Sequence, residues 1–157
     1  MKWILIALSC LLGFIAIGQD LNISKVENKI ALGDLVGNRD LSFGVKNVLE
    51  EVIQDAGYDL NPNSISEITI EILYFDVQKN NIQLAVYGKQ IDIYIIAARA
   101  TLYKNGKKKK SVTAKGTAKS ISTSTLVIDE GGKFSQSNVS TAIKKLCEQL
   151  INKLKIK

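Results

Sequence analysis

Residues 68–75 read Ile68-Thr69-Ile70-Glu71-Ile72-Leu73-Tyr74-Phe75, and this stretch decides the fold class. Ile68, Ile70, Ile72 and Tyr74 alternate with Thr69, Glu71, Leu73 and Phe75, the period-two pattern of a strand with one fully apolar face. The same pattern returns where Ile91, Ile93, Ile95 and Ala97 are set against Asp92, Tyr94 and Ile96. Between the two, Ile82, Leu84 and Val86 extend one strand toward the other across Gly88. Further on, Lys104-Asn105-Gly106-Lys107 separates Leu102-Tyr103 from a polar strand over Val112 to Lys119. Asn-Gly between alternating runs supplies two residues that accept positive φ, which predicts an antiparallel hairpin turning at Asn105-Gly106.

Helical spacing flanks this β region. Leu41, Val45, Val48, Leu49, Val52, Ile53 and Ala56 recur every three or four residues, with Asn38 or Asp40 as the cap and Gly57 where a C′ glycine belongs. Gly44 either weakens this helix or allows close packing on a sheet. Upstream, Ile23, Val26, Ile30, Leu32 and Leu35 predict a first strand over 24–36. Asn61-Pro62-Asn63 marks a turn around the single proline. Residues 120–136 are rich in Ser and Thr and read as a loop. The chain closes on a helix from Asn138 to Ile156, capped by Ser137 or Asn138, with Val139, Ala142, Ile143, Leu146, Leu150, Ile151 and Leu154 as its buried stripe. The order β-α-β-β-β-α predicts an α+β fold, an antiparallel-rich sheet with two helices packed on one face.

The chain has 157 residues, 46% hydrophobic and 23% charged, which suits one domain and excludes wholesale disorder. The apolar residues are unevenly spread: Met1 to Gly18 holds 14 of them and one charge, Lys2. Trp3 to Ile17 is broken only by Ser9 and Gly13, and Ala16 and Gly18 place small residues at the −3 and −1 positions. This is the layout of a secretory signal peptide cut after Gly18, leaving a single α+β domain over 19–157. As a retained anchor the run falls short of the roughly 20 residues a spanning helix needs. Ala7-Leu8-Ser9-Cys10 has a small residue before its cysteine, but Leu8 and Ala7 stand in the reverse of lipid-box order, so Cys10 reads as part of the signal. Only Cys147 then remains in the exported domain, among Ile143, Leu146, Leu150 and Leu154, and a buried, inert thiol is expected.

Histidine is missing from the whole chain, which removes His-dependent triads and His metal sites. No catalytic, metal or cofactor constellation emerges. Glu50 and Glu51 are adjacent on a helix and point about 100° apart, so they cannot converge as an acid/base pair. Asp129-Glu130-Gly131-Gly132-Lys133 lacks both the alternating ligands of a calcium loop and the ending of a phosphate loop, and reads as a turn. Tyr74, Tyr87, Tyr94 and Tyr103 lie on or beside strands, as a ligand platform or as packing. The exported domain carries 20 Lys and Arg against 15 Asp and Glu, and Lys104, Lys107, Lys108, Lys109 and Lys110 crowd one hairpin. That patch either meets lipid headgroups, cell-wall polymer or an acidic partner, or is a solvated turn that protects a sheet edge. Nucleic acid is not an expected partner, because no aromatics interleave with the lysines.

Asn38-Arg39-Asp40-Leu41 leads into a helix with Val48-Leu49-Glu50 that ends at Gly57-Tyr58. The next strand closes with Leu73-Tyr74-Phe75-Asp76-Val77, and Asn81 begins the following segment. Lys89, Ile91, Ile93 and Ala97 precede the hairpin glycine, and Phe134-Ser135-Gln136-Ser137-Asn138 opens the last helix. In that order, over residues 38–152, the chain resembles the YajG family of bacterial envelope lipoproteins. The resemblance implies a curved sheet with two helices, and an envelope protein without an established activity that faces the periplasm. It carries over no catalytic residues. This chain departs from the family at the end of its leader, where it has no lipid-box cysteine, so a periplasmic or secreted form without a transmembrane segment is expected. The reading is a non-enzymatic binding or assembly module whose partner is an envelope protein or a cell-wall or lipid component. Two alternatives stand beside it: a carboxylate-dependent cell-wall hydrolase, and an anion- or lipid-binding protein that uses the lysine hairpin.

Overall fold

The computed structural model of the chain describes residues 19–30, 40–84, 87–124 and 135–156. The leader with Cys10, the Asn38-Arg39 cap region and the Asp129–Lys133 segment lie outside them. In chain order the elements are β1 (Asp20–Asn28), α1 (Ser42–Asp55), β2 (Asp59–Leu60), β3 (Ser66–Leu84), β4 (Tyr87–Lys104), β5 (Lys107–Ser124) and α2 (Gln136–Leu154). The five strands form one mixed sheet in the order β2-β1-β3-β4-β5. β1 runs parallel to β2 and β3, while β3, β4 and β5 pair antiparallel. The α+β class and the β-α-β-β-β-α order are as predicted, with the two-residue β2 added.

Two local rules predicted from sequence are visible, at the β4–β5 hairpin and at the end of α1, and a third is displaced by one residue. Asn105 and Gly106 adopt φ of 53° and 68°, so the β4–β5 hairpin turns on two left-handed residues. At the start of α1 the cap position falls on Leu41, which makes no side-chain cap bond, and not on Asp40; Asp40, one residue before it, still accepts from the Ser42 amide at 2.8 Å through Oδ1, which holds its carboxyl below the usual range. At the other end Gly57 has φ 84°, its N–H donates to Gln54 O and that of Tyr58 to Ile53 O, the paired bonds of a Schellman ending.

The strand boundaries and faces differ from the sequence reading. β1 begins at Asp20, four residues before the predicted start, and ends at Asn28, while residues 31–36 of the predicted strand lie outside the described residues; a bulge between Ile23 and Lys25 changes the spacing of the core-facing Leu21, Ile23 and Val26 and blurs the alternation. A second bulge between Ile72 and Tyr74 exchanges the faces of β3. Ile68, Ile70 and Ile72 point into the core, but Phe75 and Val77 continue that face while Tyr74 is 43% exposed. β3 runs straight on to Leu84, and Gly88 sits inside β4 opposite Gln83 and not at the junction. On β4 the helix-side core takes Tyr94, Ile96, Ala98 and Ala100, the opposite parity from Ile91, Ile93, Ile95 and Ala97, although Ile95 is buried as well. Residues 120–124, expected in a loop, complete β5. The last helix is capped by Ser135, whose Oγ accepts from the Asn138 amide at 3.4 Å, and not by Ser137 or Asn138.

Close packing of α2 explains the choice of face. Ala114, Gly116 and Ala118 of β5 and Ala98 and Ala100 of β4 form a floor of small residues under α2. A Cβ on Gly116 would come within 1.9 Å of the Ala142 carbonyl oxygen, so only glycine admits the helix at this distance. The predicted stripe of α2, from Val139 to Leu154, is buried in full. α1 packs beside it against β1, β2 and α2, so both helices cover the same face. A Cβ on Gly44 would meet Ile143 of α2 at 3.7 Å and no atom of the sheet within 4 Å. Cys147 lies in this core, its Sγ 3.9 Å from Val45 O, and burial pushes the thiol up to about 12.

Candidate interaction surface

With both helices on one side, the alternate residues of β3, β4 and β5 form a second, helix-free face. Its central column on β4 is Ile91, Ile93, Ile95 and Ala97, followed by Arg99, Thr101 and Tyr103. Ile95 is only 5% exposed although it takes no part in the helix-side core, because Asp76 and Thr117 flank it on the neighbouring strands. At the far end of the column Ile82 of β3 and Ile121 of β5 are 45% and 59% exposed. The flanks differ in charge. The β3 column carries Glu67, Glu71 and Asp76, and the β5 column carries Lys108, Lys115 and Lys119.

The two halves of this face are built differently. Around Arg99, Glu71 accepts from the Arg99 guanidinium at 3.3 Å and pairs with Lys29, which also reaches Glu27 at 3.2 Å; Glu27 pairs in turn with Lys25. The ammonium groups hold the Glu27 and Glu71 carboxyls below their usual range, and the carboxylates raise Lys29. Thr101 and Ser111 exchange a hydroxyl bond at 3.1 Å next to this cluster. Around Ile93 there is no such network among the described residues. There the apolar column is bordered by Gln78 and Asp76 on one side and Lys119 and Thr117 on the other.

The hairpin lysines separate into two groups. A bulge between Leu102 and Tyr103 leaves Lys109 without a cross-strand partner and sets Lys108 opposite Tyr103. Lys110 is committed elsewhere: its Nζ donates to Lys153 O at 2.6 Å and Leu154 O at 3.1 Å, closing the carbonyl end of α2 where the helix dipole is negative. Lys153 in turn donates to Thr113 O at 2.8 Å. Lys104, Lys107, Lys108 and Lys109 pair with no carboxylate among the described residues, so four ammonium groups face solvent at one tip.

A cleft of about 380 Å³ between the helices is lined by Val48, Glu51, Ser140, Thr141, Lys144, Lys145 and Glu148. Glu51 is held by Lys144 at 3.1 Å, which raises the lysine, and Glu50 points to Lys46 at 3.9 Å. The adjacent glutamates diverge onto different lysines, as their helical spacing requires. A carboxylate that is exposed and engaged by an ammonium differs from the buried carboxyl that general acid chemistry uses. Among the described residues no three His, Cys, Asp or Glu side chains come together as metal ligands. Tyr74 and Tyr94 fall on opposite faces and form no row: Tyr74 donates to Asp76 at 3.0 Å, while the buried Tyr94 hydroxyl accepts from the Ser135 amide at 3.1 Å.

No family model and no curated protein matches the chain. Solved structures do. A minor lipoprotein from Acinetobacter baumannii superposes with a TM-score of 0.52 at 9% identity, over 88% of this chain and 93% of its own. The PelC dodecamer from Paraburkholderia phytofirmans gives 0.52 at 13% identity, over 89% and 88%. Protein XCC0632 from Xanthomonas campestris gives 0.50 at 11% identity, over 90% and 85%. At these identities the likeness is one of fold, and the chain shares that fold with bacterial lipoproteins. Among the described residues no helix is long and apolar enough to cross a membrane.

Proposed function

We propose that this chain is an exported, YajG-like, non-enzymatic binding or assembly module of the bacterial cell envelope, and that it works through the helix-free sheet face. The observation that carries the reading is the isoleucine column at the centre of that face. A sheet covered on one side ordinarily turns polar residues outward on the other, whereas here Ile91, Ile93 and Ile95 stand in a row with Ile82 and Ile121 beside them. Ile82 and Ile121, 45% and 59% exposed, and the partly exposed Ile91 and Ile93 still have apolar area to bury against a partner, while Ile95 is already covered. The leader supports export to the periplasm. A fold found in lipoproteins supports an envelope role, and its occurrence in a dodecamer supports assembly.

Photo-crosslinking in the envelope tests the reading. A photo-reactive residue in place of Ile93 is expected to yield adducts, and one in place of Glu51 in the helical cleft is expected to yield none. Adducts missing from position 93, together with hydrolysis of cell-wall material that is lost in Glu51→Gln or Glu148→Gln, would overturn it in favour of a carboxylate hydrolase. The four uncompensated lysines at the β4–β5 tip favour a second reading, anion binding at a lipid or polymer surface. It predicts co-sedimentation with anionic vesicles that weakens with salt and is lost when Lys107, Lys108 and Lys109 are changed to Glu. Binding that survives the triple change excludes the tip as the anion site.

A further inference from the structure

We propose that the occupant of the helix-free face is a second copy of this chain, packed face to face about a two-fold axis that runs along β4. This rests on the reading of that face as the working surface. The argument is one of charge and shape. A two-fold axis parallel to β4 keeps the two β4 strands over each other and exchanges the flanks, so β3 of one copy lies over β5 of the other. The acidic column Glu67, Glu71, Asp76 then faces the partner copy's basic column of lysines at positions 108, 115 and 119. Asp76 pairs in register with Ile95, one row from both Lys115 (opposite Ala97) and Lys119 (opposite Ile93), so it would meet those two lysines of the other copy. Its carboxylate is already held outward by the Tyr74 hydroxyl.

The same operation matches the apolar groups. The partly exposed Ile91 and Ile93 stack on their own counterparts across the axis, and Ile95, already covered within its own chain, adds little. Ile82, in the row of Lys89, and Ile121, in the row of Ile91, occupy opposite flanks one row apart. The exchange brings each beneath the other, which covers the two most exposed isoleucines of the face. The other in-plane two-fold, perpendicular to the strands, does neither. It sets β3 against β3 and β5 against β5, opposing like charges and placing Ile82 over the polar Thr69–Glu71 rows. Aligned sheets pack about 10 Å apart, a gap that lysine side chains span to reach a carboxylate. The interface is thus an isologous sandwich, apolar at the Ile91 and Ile93 rows and ion-paired at both rims, with Lys89 and Arg99 meeting their own counterparts at the two ends of the column and Arg99 neutralised by Glu71 of its own chain.

Sedimentation velocity on the exported chain purified from the envelope, from about 1 to 100 µM, reads the outcome. A dimer is expected, weakened by salt. Ile121→Lys, at a position already largely exposed, and Ile93→Lys are both expected to give folded monomers, with the far-UV circular dichroism of the wild type and a thermal midpoint that no longer depends on protein concentration. Asp76→Lys is expected to weaken the dimer at least about tenfold. Adding Lys115→Asp and Lys119→Asp to it restores binding in part, since both pairs made by position 76 are then reversed together. A wild-type monomer at the highest concentration overturns the proposal, as does an oligomer indifferent to Ile93→Lys and to charge reversal. A monomer that still yields adducts from position 93 with another envelope protein, or with lipid, removes the dimer and leaves the reading of the face intact. Neither dimer nor adduct removes both.

Discussion

Gly116 sets the distance between α2 and the sheet. Its helix-facing side meets the Ala142 carbonyl and the Leu146 amide directly, and these are backbone atoms that no rotamer change moves. Gly116→Ala is therefore expected to destabilise the fold by about 3 kcal/mol or more, read as a shift of the urea unfolding midpoint. An unchanged midpoint would mean that the helix can rise off the floor at no cost. Gly44 is a different case, since an added methyl there meets only Ile143 Cδ1 at ordinary contact distance, 3.7 Å. Nothing in the residue type tells the two glycines apart. The distinction lies in what passes over them, a backbone in one position and a flexible side-chain tip in the other.

At the scale of elements, β4 is apolar on both faces, and its period therefore points to a strand without saying which face is core. Tyr94, Ile96, Ala98 and Ala100 win because small residues recur on β5 at Ala114, Gly116 and Ala118 to receive α2. The bulges in β1 and β3 are equally hidden from periodicity, since each adds one residue to one side of a ladder. The turn at Asn105-Gly106 and the glycine ending of α1 were legible because they depend on the φ preferences of single residues. Where β1, β3 and β4 lie side by side, Glu27, Lys29, Glu71 and Arg99 form one ion-pair cluster. The lowered carboxyls of Glu27 and Glu71 contribute stability that is present above their ordinary value of 4.5 and lost as pH falls through their lower folded values. Lys29, raised above 10.5, contributes below that value and loses its part as pH rises beyond it. The stability gap between wild type and Glu71→Gln is thus expected to be flat near neutrality and to close in acid. Urea unfolding across pH measures it, and a gap constant through the acid range contradicts the ion-pair account.

For the whole molecule, the sequence by itself determined the element types and their order, the hairpin turn, both amphipathic helices and the inert setting of Cys147. Each of these follows from periodicity or from the backbone preference of a few adjacent residues, which are local properties. The tertiary structure alone decided which face of the sheet the helices cover, because burial on that face depends on strands and helices distant in the chain meeting at once. That decision placed one apolar face of β4, Ile91, Ile93 and Ile95, on the side away from the helices, where Ile91 and Ile93 are partly exposed and Ile95 is covered. It also divided the hairpin lysines into one that closes α2 and four that face solvent. It set an acidic strand and a basic strand on either side of an apolar one, a juxtaposition that exists only once β3, β4 and β5 are in register. Charges spread over some fifty residues of sequence become a single surface because strand pairing brings neighbouring backbones within about 5 Å, a nearness that no one-dimensional pattern encodes.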